Sequence, residues 1–404
     1  MRYSQPVPVP VEAEMLIMVI MGCVIARFTM RAAGLALLRA ISTPRLSIGD
    51  MGAASSLSSF IGGGDWFSSV FGFSETWSYK KNQRHFKMEG DVLVCPTAQW
   101  PRQHVGPWET PSVAELRERV SNLDSPPPGG LRFENLATLA GVQHLIADPS
   151  NEGAIFQVAS QFNALEMMGP HATPSDGVAI YARDPTQGPK CAIACPAATV
   201  FRNYLVGGGA GQGETQLDTL KDVGAVVGNE DGAYWEMRNG YALPTTSSAI
   251  KQLSARLAAD PALRAAATGA LRVGVHWDTQ VRPPGTHRVC QVFASALPVA
   301  YASAPAASWA PFAKLVLRAA YEATLLAASC KAAARGERVR LYLTLLGGGA
   351  FGNQMGWIRD ALERALQAHR DAPLDVFLVH YGHSVPAGWA NVLGGTVRRV
   401  NVGT

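Results

Sequence analysis

The chain has 404 residues, a net charge of +4, 48% hydrophobic residues and only 16% charged ones, enough apolar content for a substantial core in one large domain or two smaller ones. The small positive balance excludes a dedicated nucleic-acid binder, which would carry a strong basic excess. The cysteines at positions 23, 95, 191, 195, 290 and 330 include no CxxC pair, so neither a disulfide framework nor a thiolate metal knuckle is expected and reduced thiols are the default.

Residues 1–65 differ from the rest. Positions 16–26 form an apolar run of eleven, too short to span a bilayer. Arg27, Arg31, Arg39 and Arg45 follow, with no acidic residue between Glu14 and Asp50. Organelle transit peptides share that pattern; a signal anchor and a plain extension are the competing readings. The Ser/Gly-rich stretch 55–64 reads as a linker. The expected organisation is a leader and linker over 1–65 and one folded domain over 66–404. No stable membrane span is expected. The cytoplasm is the default location, with organelle targeting as the alternative.

In the folded part, 91–95 reads as a strand and 110–120 as a helix with Thr110 as N-cap and Pro111 at its first position. A strand is expected over 142–147 and a helix over 154–166. The polar residues of that helix, Gln157, Gln161, Asn163 and Glu166, are mostly amides, which suits a lined cleft; a helix half buried under a loop would look the same. Strands are expected at 177–182 and 191–195, a flexible glycine loop at 206–213, a helix from 214, a turn at Asn239-Gly240 and a helix over 245–263. The segment 271–277 reads as a central strand that ends at Asp278, leaving a carboxylate at a strand terminus. Then come a strand and loop over 289–301, a long Ala/Leu helix over 309–335, a strand at 340–346 and a last strand at 375–380. Strands alternating with helices imply crossovers and a largely parallel sheet, hence an α/β fold. Ligands of such sheets sit at the carboxyl ends of the strands, where the loops after 147, 277 and 346 are expected to converge.

The run 340–346 is apolar except for Arg340 and Thr344 and opens into Gly347, Gly348, Gly349, Ala350, Phe351, Gly352 and Asn353 before a helical pattern resumes. Strand, glycine loop and helix start form a cradle of backbone N–H groups suited to a phosphate. Such turns also occur where nothing binds. No Lys-Ser or Lys-Thr follows the glycines, so this is not a Walker loop. His380 and His383 lack a third ligand at suitable spacing, and no metal is expected.

Taken together, the strand, the Asn-bearing loop and helix, and the late strand ending in a Gly-x-Phe-Gly loop resemble a macrodomain, the ADP-ribose-binding α/β/α module. Four stretches, at 111–117, 153–166, 277–301 and 346–353, are similar to an enlarged group of macrodomain hydrolases that act on ADP-ribosyl-arginine, known from bacterial effectors and eukaryotic relatives. The Asn-Ala-Ala-Asn signature of ordinary macrodomains is absent. The resemblance implies a three-layer α/β/α fold with a mixed, largely parallel sheet and N-terminal elaborations. It implies a hydrolase that removes mono-ADP-ribose from arginine side chains, with a mono-ADP-ribosylated protein as substrate, ADP-ribose as ligand and product, and no cofactor. A non-catalytic ADP-ribose reader is the alternative.

On that reading the loop 347–353 binds the diphosphate, Phe351 stacks on or walls off the distal ribose, Asn163 and Gln161 meet ribose hydroxyls, Gln157 reaches the same space, and Glu166 is a further ligand-binding residue. Cleavage of the N-glycosidic bond would pass through an oxocarbenium-like transition state that a carboxylate can stabilise. Asp278 is the expected catalytic carboxylate, with Glu166, Asp218 and Asp222 behind it. A strand-end Asp also often caps a turn, and Asp218 and Asp222 can simply face water. His276 is expected to be a satisfied core histidine.

Overall fold

The computed structural model divides the chain into two units, Met1–Gly62 and Gly63–Thr404, and describes residues 65–123, 127–390, 392 and 396–400. The leader and its apolar run lie outside the described residues. Among the described residues no helix is long and apolar enough to cross a membrane.

In chain order, helices α1 (Trp66–Phe71) and α2 (Tyr79–Gln83) lead into a small antiparallel sheet of β1 (Lys87–Glu89), β2 (Val92–Val94) and β3 (Arg102–His104). There follow β4 (Trp108–Glu109), α3 (Val113–Ser121), β5 (Arg132–Thr138), α4 (Val142–Ala147), β6 (Ile155–Ala159), α5 (Gln187–Ala194), α6 (Pro196–Val200) and α7 (Lys221–Val227). A hairpin of β7 (Trp235–Arg238) and β8 (Tyr241–Pro244) precedes α8 (Ser247–Ala259) and α9 (Pro261–Ala270). The chain continues through β9 (Gly274–Gln280), β10 (Arg288–Ala294), α10 (Ala306–Arg335), β11 (Val339–Leu343), α11 (Met355–Ala368), β12 (Leu374–Tyr381) and β13 (Thr396–Val400).

Eight strands form the central sheet, in the order β13-β5-β12-β11-β6-β10-β9-β4. From β13 to β10 every pairing is parallel; β9 and β4 add on antiparallel. Successive side chains leave a strand on opposite faces. Ile155, Val292, Leu341 and Leu343 therefore pack with α10 in one core, while Phe156, Val158, Phe293 and Tyr342 pack with α4 and α5 in another. This is a mixed, largely parallel sheet flanked by helices, as expected, with the small N-terminal sheet added.

Several segments differ from expectation for identifiable reasons. Residues 142–147 are helical, because their buried residues Val142, Leu145 and Ile146 fall at i, i+3 and i+4. Residues 155–159 form a strand and not a helix. The strand lies between β11 and β10 and is buried on both faces, so the alternation that marks a strand is hidden. The segment 191–195 lies in α5 and its C-cap, apolar all round because it is enclosed, and 179–183 is a short 3-10 turn. Residues 245–263 form two helices, since Asp260 caps the second through the amides of Ala262 and Leu263 and Pro261 opens it. Helix α3 begins two residues later than expected, with Ser112 and Glu115 closing a capping box. β12 is followed by a further strand, β13.

Candidate functional site

The glycine loop leaves β11 at the carboxyl edge of the sheet. Gly347 and Gly352 hold φ of 71° and 69°, values that side chains rarely adopt. Crowding adds to that: a Cβ at Gly347 would stand 2.5 Å from Ala296 Cβ, and one at Gly352 2.8 Å from Ala300 Cβ. Asn353 clasps the loop from below, its Nδ2 donating to the carbonyls of Leu297 (2.9 Å) and Gly347 (3.3 Å) and its amide to Gly347 O (2.9 Å). The Gly348 and Gly352 amides are consumed within the loop, by Leu345 O and Gly349 O. Those of Gly347, Gly349, Ala350 and Phe351 donate to no acceptor among the described residues, and these four residues line a cavity of about 220 Å³. The donor set is thus the loop itself; no residue of α11 lines the cavity.

The opposite wall comes from the turn after β6. Gln161 is fixed through its carbonyl, which accepts from Met167 N at 2.7 Å. Its Nε2 has no acceptor among the described residues, and the side chain lines the cavity. Asn163 is fully buried, donates to Gln216 Oε1 at 2.8 Å and accepts from Leu165 N at 3.1 Å. Gln157 is likewise consumed, donating to Thr324 Oγ1 and accepting from Thr344 N. The structure therefore does not bring Asn163 or Gln157 into the cavity; both hold the backbone that shapes it.

Glu166 lines the cavity and is 1% exposed. Arg202 Nη2 stands 3.2 Å from both of its carboxylate oxygens. Burial pushes the Glu166 carboxyl up to about 7, against the opposing pull of Arg202 and of the Tyr181 hydroxyl. Arg202 is itself enclosed, 3.7 Å from the centroid of Phe293 and bonded through Nε to Ala164 O. A second carboxylate, Asp184, lines the same cavity, oriented by the Thr186 amide at 2.8 Å. Phe351, Tyr241 and Tyr301 form an aromatic wall, with centroids 5.2 to 5.7 Å apart.

Asp278 is elsewhere. Because β9 runs antiparallel to β10, pairing Gly274 with Phe293 and Gln280 with Arg288, its end lies at the amino edge of the parallel strands, away from the glycine loop. Both Asp278 oxygens accept from Lys331 Nζ at 2.6 Å, and its backbone is left-handed at φ 51°. The expected convergence of the loops after 147, 277 and 346 fails for this reason, and Asp278 cannot act on a ligand held by the loop. Asp222 pairs with Arg272 at 2.6 Å, and Asp218 accepts from Leu220 N. His276 is in the core but not satisfied: both ring nitrogens lack a partner among the described residues. Among the described residues no group of three His, Cys, Asp or Glu side chains could hold a metal ion. A larger cavity, of about 530 Å³, opens over the other end of the sheet, but Arg398 and Arg132 there are paired with Glu134 and Asp375, and Arg340 donates to Ser150 O and Asn151 Oδ1.

Arg202, Asp184, Tyr241 and Tyr301 escaped the sequence reading. One signal was present for Arg202: it is the only charged residue between 191 and 206, and an arginine in an apolar stretch demands a buried acceptor.

No family model and no curated protein matches the chain. Among solved structures, it is similar to the poly(ADP-ribose) glycohydrolase of Deinococcus radiodurans in complex with ADP-ribose, at 11% identity over 67% of this chain and 86% of that one, with a TM-score of 0.37. The Thermomonospora curvata poly(ADP-ribose) glycohydrolase matches at 14% identity over 74% and 90%, with a TM-score of 0.36. Likeness at this level transfers no residue role to this chain. The expected resemblance to arginine-specific ADP-ribosyl hydrolases is corrected: the matched proteins are glycohydrolases of poly(ADP-ribose), and hydrolysis of an N-glycosidic bond to protein arginine loses its footing with it.

Proposed function

We propose that the chain is an ADP-ribose-processing hydrolase that cleaves an O-glycosidic bond to ADP-ribose in the cleft at the carboxyl edge of its sheet. The observation that carries this reading is the set of four glycine-loop amides left without a protein acceptor in the same cavity as Glu166. Unpaired amides in a turn suit a diphosphate. Phe351 and Tyr301 offer faces to a sugar or base, and the free Nε2 of Gln161 a donor to a hydroxyl.

Glu166 supplies the acid. With its carboxyl near 7, a large fraction is protonated at neutral pH, as a general acid requires. Its proton passes to the leaving oxygen as the anomeric C–O bond breaks. The oxocarbenium-like centre is then taken by water, whose proton resets the carboxyl. Asp184, in the same cavity, is available to stabilise the positive charge.

The test is release of free ADP-ribose from poly(ADP-ribose) by the purified chain, beside calorimetric titration with ADP-ribose. Turnover and saturable binding are expected. Absence of both would overturn the reading; binding without turnover would remove its hydrolytic half.

A further inference from the structure

The cleft is small for the ligand assigned to it. At about 220 Å³ it falls below the roughly 300–1,000 Å³ typical of ligand pockets, and ADP-ribose carries two riboses, two phosphates and a base. On the other side of Tyr301 lies a second cavity, of about 440 Å³, between the β7–β8 hairpin and the start of α8. Tyr301 lines both cavities and is 37% exposed. Its ring is held at the boundary by Tyr241 at 5.2 Å and Phe351 at 5.7 Å.

The outer groove is polar. Glu236 and Arg238, two apart on β7, project from the same face of the strand. They pair at 3.8 Å with both side chains more than half exposed. Such a pair holds weakly, so the guanidinium can turn to a ribose hydroxyl or base acceptor at little cost. The Ser247 and Ser303 hydroxyls make no hydrogen bond among the described residues. By contrast, Thr245 Oγ1 donates to Ala233 O and Thr246 Oγ1 accepts from Ala249 N. A guanidinium, free hydroxyls and an aromatic edge suit a nucleoside, with its ribose hydroxyls and base, better than an apolar side chain.

We infer that the groove beyond Tyr301 is the second half of the binding site. It takes the nucleoside portion of the ligand whose diphosphate lies at the glycine loop, and Tyr301 is the partition the ligand crosses. This rests on the reading of the cleft as an ADP-ribose site. It sets the orientation: the reacting ribose sits on the Glu166 side and the base on the hairpin side.

Two variants act only on the outer groove. Ser303→Trp fills it from an exposed position, and Arg238→Ala removes its cation. Each is titrated with ADP-ribose and with ribose 5-phosphate, which the inner cleft alone can hold. Ser303→Trp is expected to weaken ADP-ribose binding at least about tenfold, and Arg238→Ala by roughly three- to tenfold, the loss of one ordinary, solvent-exposed hydrogen bond. Ribose 5-phosphate should bind both variants as it binds the unaltered chain. Unchanged ADP-ribose affinity in both variants overturns the outer subsite and leaves the proposed function standing; so does equal weakening of the two ligands. Failure of the unaltered chain to bind either ligand overturns the proposed function and this inference together.

Discussion

Arg202 and Glu166 show how one buried pair can set a reactive group. Taking both charges out of water is costly, and their attraction offsets that only in part, which is why the carboxyl stands near 7 and not near its ordinary value. If Glu166 is the acid, kcat/KM for ADP-ribose release should fall about tenfold per pH unit above pH 7, as the protonated fraction disappears. Glu166→Gln should lower kcat by roughly 10²-fold or more while ADP-ribose still binds. A rate flat to pH 9, or a Gln variant as active as the parent, would remove Glu166 from the chemistry. His276 is a different case. It is fully buried, with both ring nitrogens unpartnered, beside Trp108 and Phe201, and burial holds it well below its usual value and therefore neutral. An orphaned polar group costs about 1–3 kcal/mol. His276→Leu should therefore raise stability by about 1 kcal/mol or more in urea titration; a loss of that size would mean the ring has an acceptor after all, such as a buried water.

The glycine loop was legible as an element because its signal is local: an apolar run, then residues that only positive φ or close approach can explain. Gly352→Ala sets a Cβ 2.8 Å from Ala300 Cβ at a φ of 69°, so the loop must shift and its amides with it. Gly349→Ala meets nothing within 4 Å and no unfavourable φ. ADP-ribose affinity should drop about tenfold or more in the first, from the loss of at least one well-placed hydrogen bond to a charged group, and stay within about twofold in the second. Equal effects would mean that the loop amides do not hold the ligand. The long helix α10 and strands β10, β11 and β12 were legible on the same ground, through period and length. What failed was relational. Ile155 to Ala159 looks helical because burial on both faces removes the alternation, and Val142 to Ala147 looks like a strand because six residues are too few to tell the periods apart. The larger error was one of direction. The residues of β9 carry the composition of a strand but nothing that says which way it runs, and strand direction alone moved Asp278 from the cleft to the far edge. The sequence pattern sets Glu166 in a row of polar residues on a helix; in the structure it follows a turn and is closed off by Arg202 from 36 residues away.

Across the whole molecule, two separate buried groups make opposed contributions to the pH dependence of folding. His380 on β12 stands 2.9 Å from Asn135 Oδ1, and Asn135 in turn donates to Trp389 O. Since the amide nitrogen of Asn135 is thus committed, its oxygen must accept, and Nε2 of a neutral His380 donates. Burial lowers the imidazole from 6.5 to about 4. The unfolded chain therefore takes up this proton first as pH falls: the stability contributed by the neutral ring is intact above pH 6.5 and is lost as pH drops to about 4. Glu166 acts in the opposite sense. Its carboxyl is raised from 4.5 to about 7, so folding is favoured below 4.5 and that advantage declines as pH rises to 7. The windows overlap, and the pH dependence of the unaltered chain is the remainder of two opposed terms, which makes its slope alone a poor test. A difference measurement separates them. His380→Gln keeps a donor for Asn135 and removes the titration, and the two sites act independently unless they share partners. Between pH 6.5 and 4 the stability of the unaltered chain relative to His380→Gln should fall by about 3 kcal/mol, read from urea midpoints at each pH. A difference that stays constant across that window would mean that His380 is protonated in the folded state, and that the closure of the β5–β12 end of the sheet by Asn135 and Trp389 does not depend on a neutral ring.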